Sequence, residues 1–205
     1  MNGPVIVYRH ATFGTPLRTE PARQPGRYHG EDQASPTQYL CLHPLGPLAE
    51  LMRGNTLRRP EQIRQVRART WALRLTGDDL LEITFDAARE YALEPGDLVA
   101  DDQTRCRRLA DDLRRAGTPG IIVPSAALPG TQSVVLFGPC VGAPYLLEPL
   151  GEVDVPASIT AHDGRPLASL IELVRFRGEA HTELEAWQRG ETFVFTEPDW
   201  GLGAA

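Results

Sequence analysis

The sequence predicts an α+β fold: a mixed, strand-rich core with helices packed around it. Short apolar runs recur near residues 5–8, 37–43, 71–75, 80–85, 121–123 and 134–137, each bounded by Gly, Pro or charged residues. Thr104 to Ala116 is the clearest amphipathic helix, with one apolar stripe among arginines and aspartates. The 205 residues, 41% hydrophobic and 23% charged, suit a globular chain with one full core.

Val5-Ile6-Val7-Tyr8 reads as a buried strand ending at Arg9-His10. Ala11 to Pro36, with four prolines, reads as a long functional or poorly ordered loop. Thr37 to His43 is a second strand, with Tyr39, Cys41 and His43 on one face and Leu40 and Leu42 on the other. Pro44 and Pro47 open a helix carrying Leu48, Leu51 and Met52, and Gly54 ends it. Trp71 to Leu75 and Leu80 to Phe85 read as a hairpin around Gly77-Asp78-Asp79.

The helix at 104–116 stops at Gly117, and Ile121 to Val123 and Val134 to Phe137 are strands joined through Pro124-Ser125-Ala126 and Pro129-Gly130. Later come two helical candidates, Leu167 to Val174 and Ala180 to Arg189, a short strand Thr192 to Phe195, and a frayed tail Asp199 to Ala205.

The chain has no lysine, so all 21 basic residues are arginines, which removes Schiff-base chemistry and a P-loop lysine together. Cys41, Cys106 and Cys140 are an odd number at wide spacings, and the five histidines are scattered, so neither a disulfide framework nor a metal site is expected. A net charge of -6 argues against a general nucleic-acid binder. No apolar run suits a membrane span and Met1 to His10 lacks a secretory pattern, so the expected compartment is the cytoplasm.

Gly26 to Glu50 brings an arginine, a tyrosine and a carboxylate onto a loop, a strand and a helix in turn. Glycine permits close backbone approach, Arg27 offers a planar fork for phosphate oxygens, Tyr39 a stacking face, and Glu50 a charge that stabilises a developing cation. Read singly, Glu50 is a helix-surface glutamate beside Arg53 or Asn55, Tyr39 a core aromatic and Ser125 a turn serine. Val123-Pro124-Ser125-Ala126 lacks the flanking glycines of a nucleophile elbow. Seven arginines against one acid between Arg53 and Arg74 read either as a solvated helix face or as an anion-facing surface. The second option gives a rival from another class, a non-catalytic arginine-rich binding module for nucleic acid or protein.

Tyr8-Arg9, then Gly26-Arg27-Tyr28 with Tyr39 and Glu50, then Val123-Pro124-Ser125-Ala126 before an apolar strand, together resemble the RES-domain family. The resemblance spans roughly Pro4 to Pro139. It implies a fold similar to ADP-ribosyltransferases and a bacterial toxin that consumes NAD by phosphorolysis or hydrolysis, or alternatively ADP-ribosylates a protein. It further implies a cognate antitoxin as partner, NAD as substrate, no metal, and phosphate, water or a protein as acceptor.

Carried over, the resemblance makes Glu50, Arg27 and Tyr39 catalytic, and Arg9, Tyr28, Ser125 and Gln132 substrate-binding. The chain departs from the family where asparagine is common, at His29 and at Gln132-Ser133. The expected organisation is a catalytic domain at 1–139 and an elaboration at 140–205 packed on it, which either covers the cleft or builds a homo-oligomer interface.

Overall fold

In the computed structural model, nine strands among the described residues (5–10, 24–31, 33, 35–76, 80–138, 141–142, 145–149 and 161–198) make one mixed sheet. They are β1 (Val5–His10), β2 (Thr37–Cys41), β3 (Ala68–Thr76), β4 (Leu81–Glu82), β5 (Gly120–Pro124), β6 (Gln132–Phe137), β7 (Val141–Gly142), β8 (Tyr145–Pro149) and β9 (Ala161–Gly164). The strand order is β4-β5-β6-β2-β1-β3-β8-β7, with β8 and β9 taking successive stretches of β3. The helices are α1 (Gly46–Gly54), α2 (Pro60–Gln65), α3 (Thr104–Arg115) and α4 (Thr182–Gln188), with short 3₁₀ turns at Ala88–Tyr91, Pro95–Leu98 and Ala168–Glu172. The class is α+β.

Strand alternation covers both faces of the sheet. Ile121, Val123 and Val135 enter a cluster with the apolar stripe of α3, Cys106, Leu109, Ala110 and Leu113. Ile122, Val134 and Leu136 face the other way, onto Val7, Leu40, Leu73 and Leu75. A third cluster joins α1 to the C-terminal part of the chain, with Ala49 and Met52 against Leu128, Leu170, Val174 and Phe176.

Between β1 and β2 the sheet is nearly split. All of β1 is in register with β3, from Val5↔Leu75 to His10↔Thr70, whereas β1 and β2 share the single register pair Tyr8↔Cys41. α1 starts just beyond the end of β2, and a side chain at Gly46 would come within 2.5 Å of Cys41 Cβ. The missing side chain lets the helix sit beside the divergence.

Several expectations need correction. Residues 71–75 and 80–85 do not form a hairpin. β3 pairs with β1, β8 and β9, while β4 lies at the far edge in parallel with β5, because Leu81 and Ile83 belong to the α3 side of the core. Thr192 to Phe195 forms no strand. It carries no regular secondary structure, with Phe193 against Gly130 and Phe195 packed on the third cluster. Leu167 to Val174 is reduced to a 3₁₀ turn.

The arginines from 53 to 74 do not share a helix face, since they are spread over α1, α2 and β3 and the stretches between, with Arg69 and Arg74 an odd number of residues apart on one strand. Cys41 and Cys106 are free and buried, while Cys140 and the tail at 199–205 lie outside the described residues. Among the described residues no helix is long and apolar enough to cross a membrane, and no group of three His, Cys, Asp or Glu is placed to hold a metal ion.

Candidate active site

Where β1 and β2 diverge, a cleft of about 370 Å³ opens, lined by Tyr8, Arg9 and His10 of β1, by Tyr39 to Cys41 of β2, and by Glu50 and Arg53 of α1. Gly26, Arg27 and Tyr28 close one side, and Ser133 and Arg177 also reach it. The topology thus gathers Arg9, Arg27, Tyr28, Tyr39 and Glu50 around one space.

The loop carrying Arg27 is held from behind by α3. Arg107 Nη1 donates to the Gly26 carbonyl at 3.3 Å, and Arg114 Nη2 donates to the Tyr28 carbonyl at 2.6 Å and to Thr37 Oγ1 at 2.7 Å. Gly26 and His29 form a β-bridge, and a side chain at Gly26 would come within 2.3 Å of the His29 ring. Tyr28 is 1% exposed, so its ring belongs to the α3 core and borders the cleft as floor.

His29 fixes Tyr39. Its Nε2 lies 2.9 Å from the Gln24 carbonyl, which only accepts, so Nε2 carries the proton. Nδ1, 2.9 Å from Tyr39 Oη, then accepts from the phenol, whose oxygen in turn accepts from the Tyr28 N–H at 2.9 Å. Burial lowers the His29 pKa, which keeps the ring neutral in this chain of bonds. Burial likewise pushes the Tyr39 phenol up to about 12, yet 37% of the residue is exposed, because the ring lines the cleft while the hydroxyl is tied down.

Glu50 is open to solvent through the cleft and has no hydrogen-bonded partner among the described residues. Desolvation by the protein around it nevertheless raises its carboxyl above the ordinary value, and Arg53, Arg27 and Arg177 oppose the rise. Arg53, one helical turn along, is buried and donates from Nη2 to Asp101 at 2.6 Å, while its Nε is a buried donor with nothing to bond. Arg27 is also buried. Its Nη1 lies 3.5 Å from the Asp97 carbonyl and its Nη2 has no partner. Two buried guanidinium groups, each with an unbonded donor, beside an open carboxylate are an arrangement that can take an anion and stabilise a positive centre.

Ser125 and Gln132 are not brought into the cleft lining. Ser125 is 1% exposed and its Oγ accepts from the Leu128 N–H at 3.1 Å, closing the turn between β5 and β6. Gln132 points away and donates to Glu82 at 2.8 Å. Its neighbour Ser133, in register with Cys41, faces the cleft, as strand alternation requires. Arg53 was in view in the sequence as an i+3 neighbour of Glu50. Arg177 carried no signal, since it comes from a turn remote in sequence.

Residues 6–152 match the family model described as RES domain. A probable NAD(+) phosphorylase of Mycobacterium tuberculosis is 28% identical over 157 residues, which cover 76% of this chain and 70% of that protein. Among solved structures, a chain of the M. tuberculosis MbcT–MbcA toxin–antitoxin complex is similar with a TM-score of 0.59 and 17% identity, over 83% of this chain and 91% of that one. At that identity the likeness speaks for the fold.

Proposed function

Because this chain belongs to the RES domain family, we propose that it is an NAD-consuming toxin that cleaves the nicotinamide–ribose bond, with phosphate as the preferred acceptor. The observation that carries this reading is Glu50, a carboxylate with no hydrogen-bonded partner among the described residues, in a cleft also lined by Arg27 and Arg53, each of which keeps one buried, unbonded donor.

As the bond from the anomeric carbon to the pyridinium nitrogen breaks, its electron pair neutralises the pyridinium and nicotinamide leaves. The ribose carbon gains oxocarbenium character, which the Glu50 carboxylate stabilises. A phosphate oxygen then forms the new bond, giving ADP-ribose 1″-phosphate; water in its place gives ADP-ribose and a proton. Tyr39, with its hydroxyl tied to His29 and Tyr28, holds its ring against the nicotinamide. Arg27 and Arg53 supply two charge-assisted donors to the anionic acceptor, and Arg9 adds a third guanidinium to the wall.

Such an activity in the cytoplasm needs restraint, and a cognate antitoxin covering the cleft supplies it. The solved structure of similar fold is a chain of a toxin–antitoxin complex. Pure protein incubated with NAD, with and without phosphate, should release free nicotinamide, faster with phosphate. A folded sample that releases none under either condition refutes the reading.

A further inference from the structure

We infer that Arg177, outside the segment that matches the family, binds the diphosphate of the dinucleotide at the cleft mouth and so sets a preference for substrates that carry one. This rests on the NAD-cleaving reading above.

The turn that presents Arg177 is built from both sides. The Gly178 N–H donates to Asp101 Oδ2 at 2.7 Å, with Gly178 at φ +83°. Arg175 Nη1 donates to Asp101 Oδ1 at 2.9 Å and to the Val99 carbonyl at 3.0 Å. Phe176 is buried as the anchor, its N–H donates to Glu179 Oε2 at 2.9 Å, and Arg58 both stacks on its ring and pairs with Glu179. The charged neighbours on this turn are therefore engaged.

Arg177 itself is exposed, has no hydrogen-bonded partner among the described residues, and lines the cleft close enough to act on Glu50. Asp101 also accepts from Arg53, so a single carboxylate fixes the α1 end that carries Glu50 relative to the turn that carries Arg177.

Division of labour follows from depth. A cleft of about 370 Å³ is at the small end of ligand sites, so the nicotinamide riboside half is placed inside it and the diphosphate with its adenosine at the mouth. Arg27 and Arg53 are buried and serve the reacting end, whereas Arg177 is the exposed cation beside the entrance. Bound at the mouth, the diphosphate engages the unpartnered Arg177 guanidinium and leaves the Glu50 carboxylate for the ribose.

The experiment pairs NAD kinetics with equilibrium binding of ADP, using the full chain and Arg177→Ala. A lost charge-assisted contact corresponds to roughly 10-fold or more in affinity. The expected result is a KM for NAD raised by that factor with kcat within about 2-fold, and ADP binding weakened in parallel while adenosine binding is unchanged. Arg177→Glu, a reversal at the same exposed position, should weaken ADP binding further. Unchanged KM and unchanged ADP affinity, or a loss confined to kcat, overturns the inference. If the parent chain releases no nicotinamide the proposed function fails, and the ADP comparison still decides whether Arg177 grips a diphosphate.

Discussion

At the scale of single residues, the site depends on a carboxylate left without a partner and on donors left without acceptors. Desolvation raises the Glu50 carboxyl, so at neutral pH its ionised form is a cost to the fold, one removed when it is protonated. Function needs the ionised form. Activity is therefore expected to fall as pH drops through a value above the ordinary carboxylate range, a limb that a pH profile of kcat/KM measures. Glu50→Gln should lower kcat by about 100-fold or more while sparing NAD binding and melting no earlier than the parent. An unaffected rate removes Glu50 from the mechanism. Arg27→Lys should raise the KM for phosphate by about 10-fold, since a lysine at this buried position gives up the planar fork that reaches the Asp97 carbonyl and the cleft together. An unchanged KM for phosphate in the lysine variant would make Arg27 a loop anchor.

At the scale of elements, the sequence showed local strands and helices well and their neighbours poorly. β1, β2, α1, α3, β5 and β6 lie where periodicity put them, because each carries its own apolar pattern and its own stop. The false hairpin arose because adjacency in sequence stood in for pairing, and β4 is too short to show where its partner lies. Gly26, Arg27, Tyr39 and Glu50 were legible together, whereas the pinning of Tyr39 by His29 and the arrival of Arg177 depend on contacts that no spacing encodes. The serine turn is a further case. Its brace comes from α4, where His181 Nε2 donates to the Ser125 carbonyl at 2.9 Å, Nδ1 accepts from the Leu184 N–H at 3.3 Å, and Glu183 accepts from the Gly130 N–H at 2.8 Å. Burial lowers the His181 pKa from 6.5 to about 4, so an unfolded chain takes up this proton first as pH falls. The brace contributes fully above pH 6.5 and is lost progressively toward 4, a change on the order of a few kcal/mol. Melting between those pH values should flatten in His181→Asn; an unchanged slope would place the acid sensitivity elsewhere.

At the scale of the whole molecule, the C-terminal part is tied to the segment that carries the cleft at several points. Leu170, Val174 and Phe176 bury themselves against Ala49 and Met52 of α1 and against Leu128. Arg175 N–H donates to the Ala127 carbonyl at 2.9 Å, and β8 and β9 pair with β3. Each large apolar side chain buried here contributes about 1.5–3 kcal/mol, and net stability for a domain is about 5–15 kcal/mol, so losing the three together removes an amount comparable to the whole. A chain ending at Gly138 is thus expected to show no cooperative thermal transition, and to cause no growth arrest because it does not fold. The full chain made without an antitoxin should arrest growth. A cooperative transition in the shortened chain would instead show that the first 138 residues sustain their own core. Arrest by such a folded fragment, with none from the full chain, would make the C-terminal part an internal restraint on the cleft that α1 helps to wall.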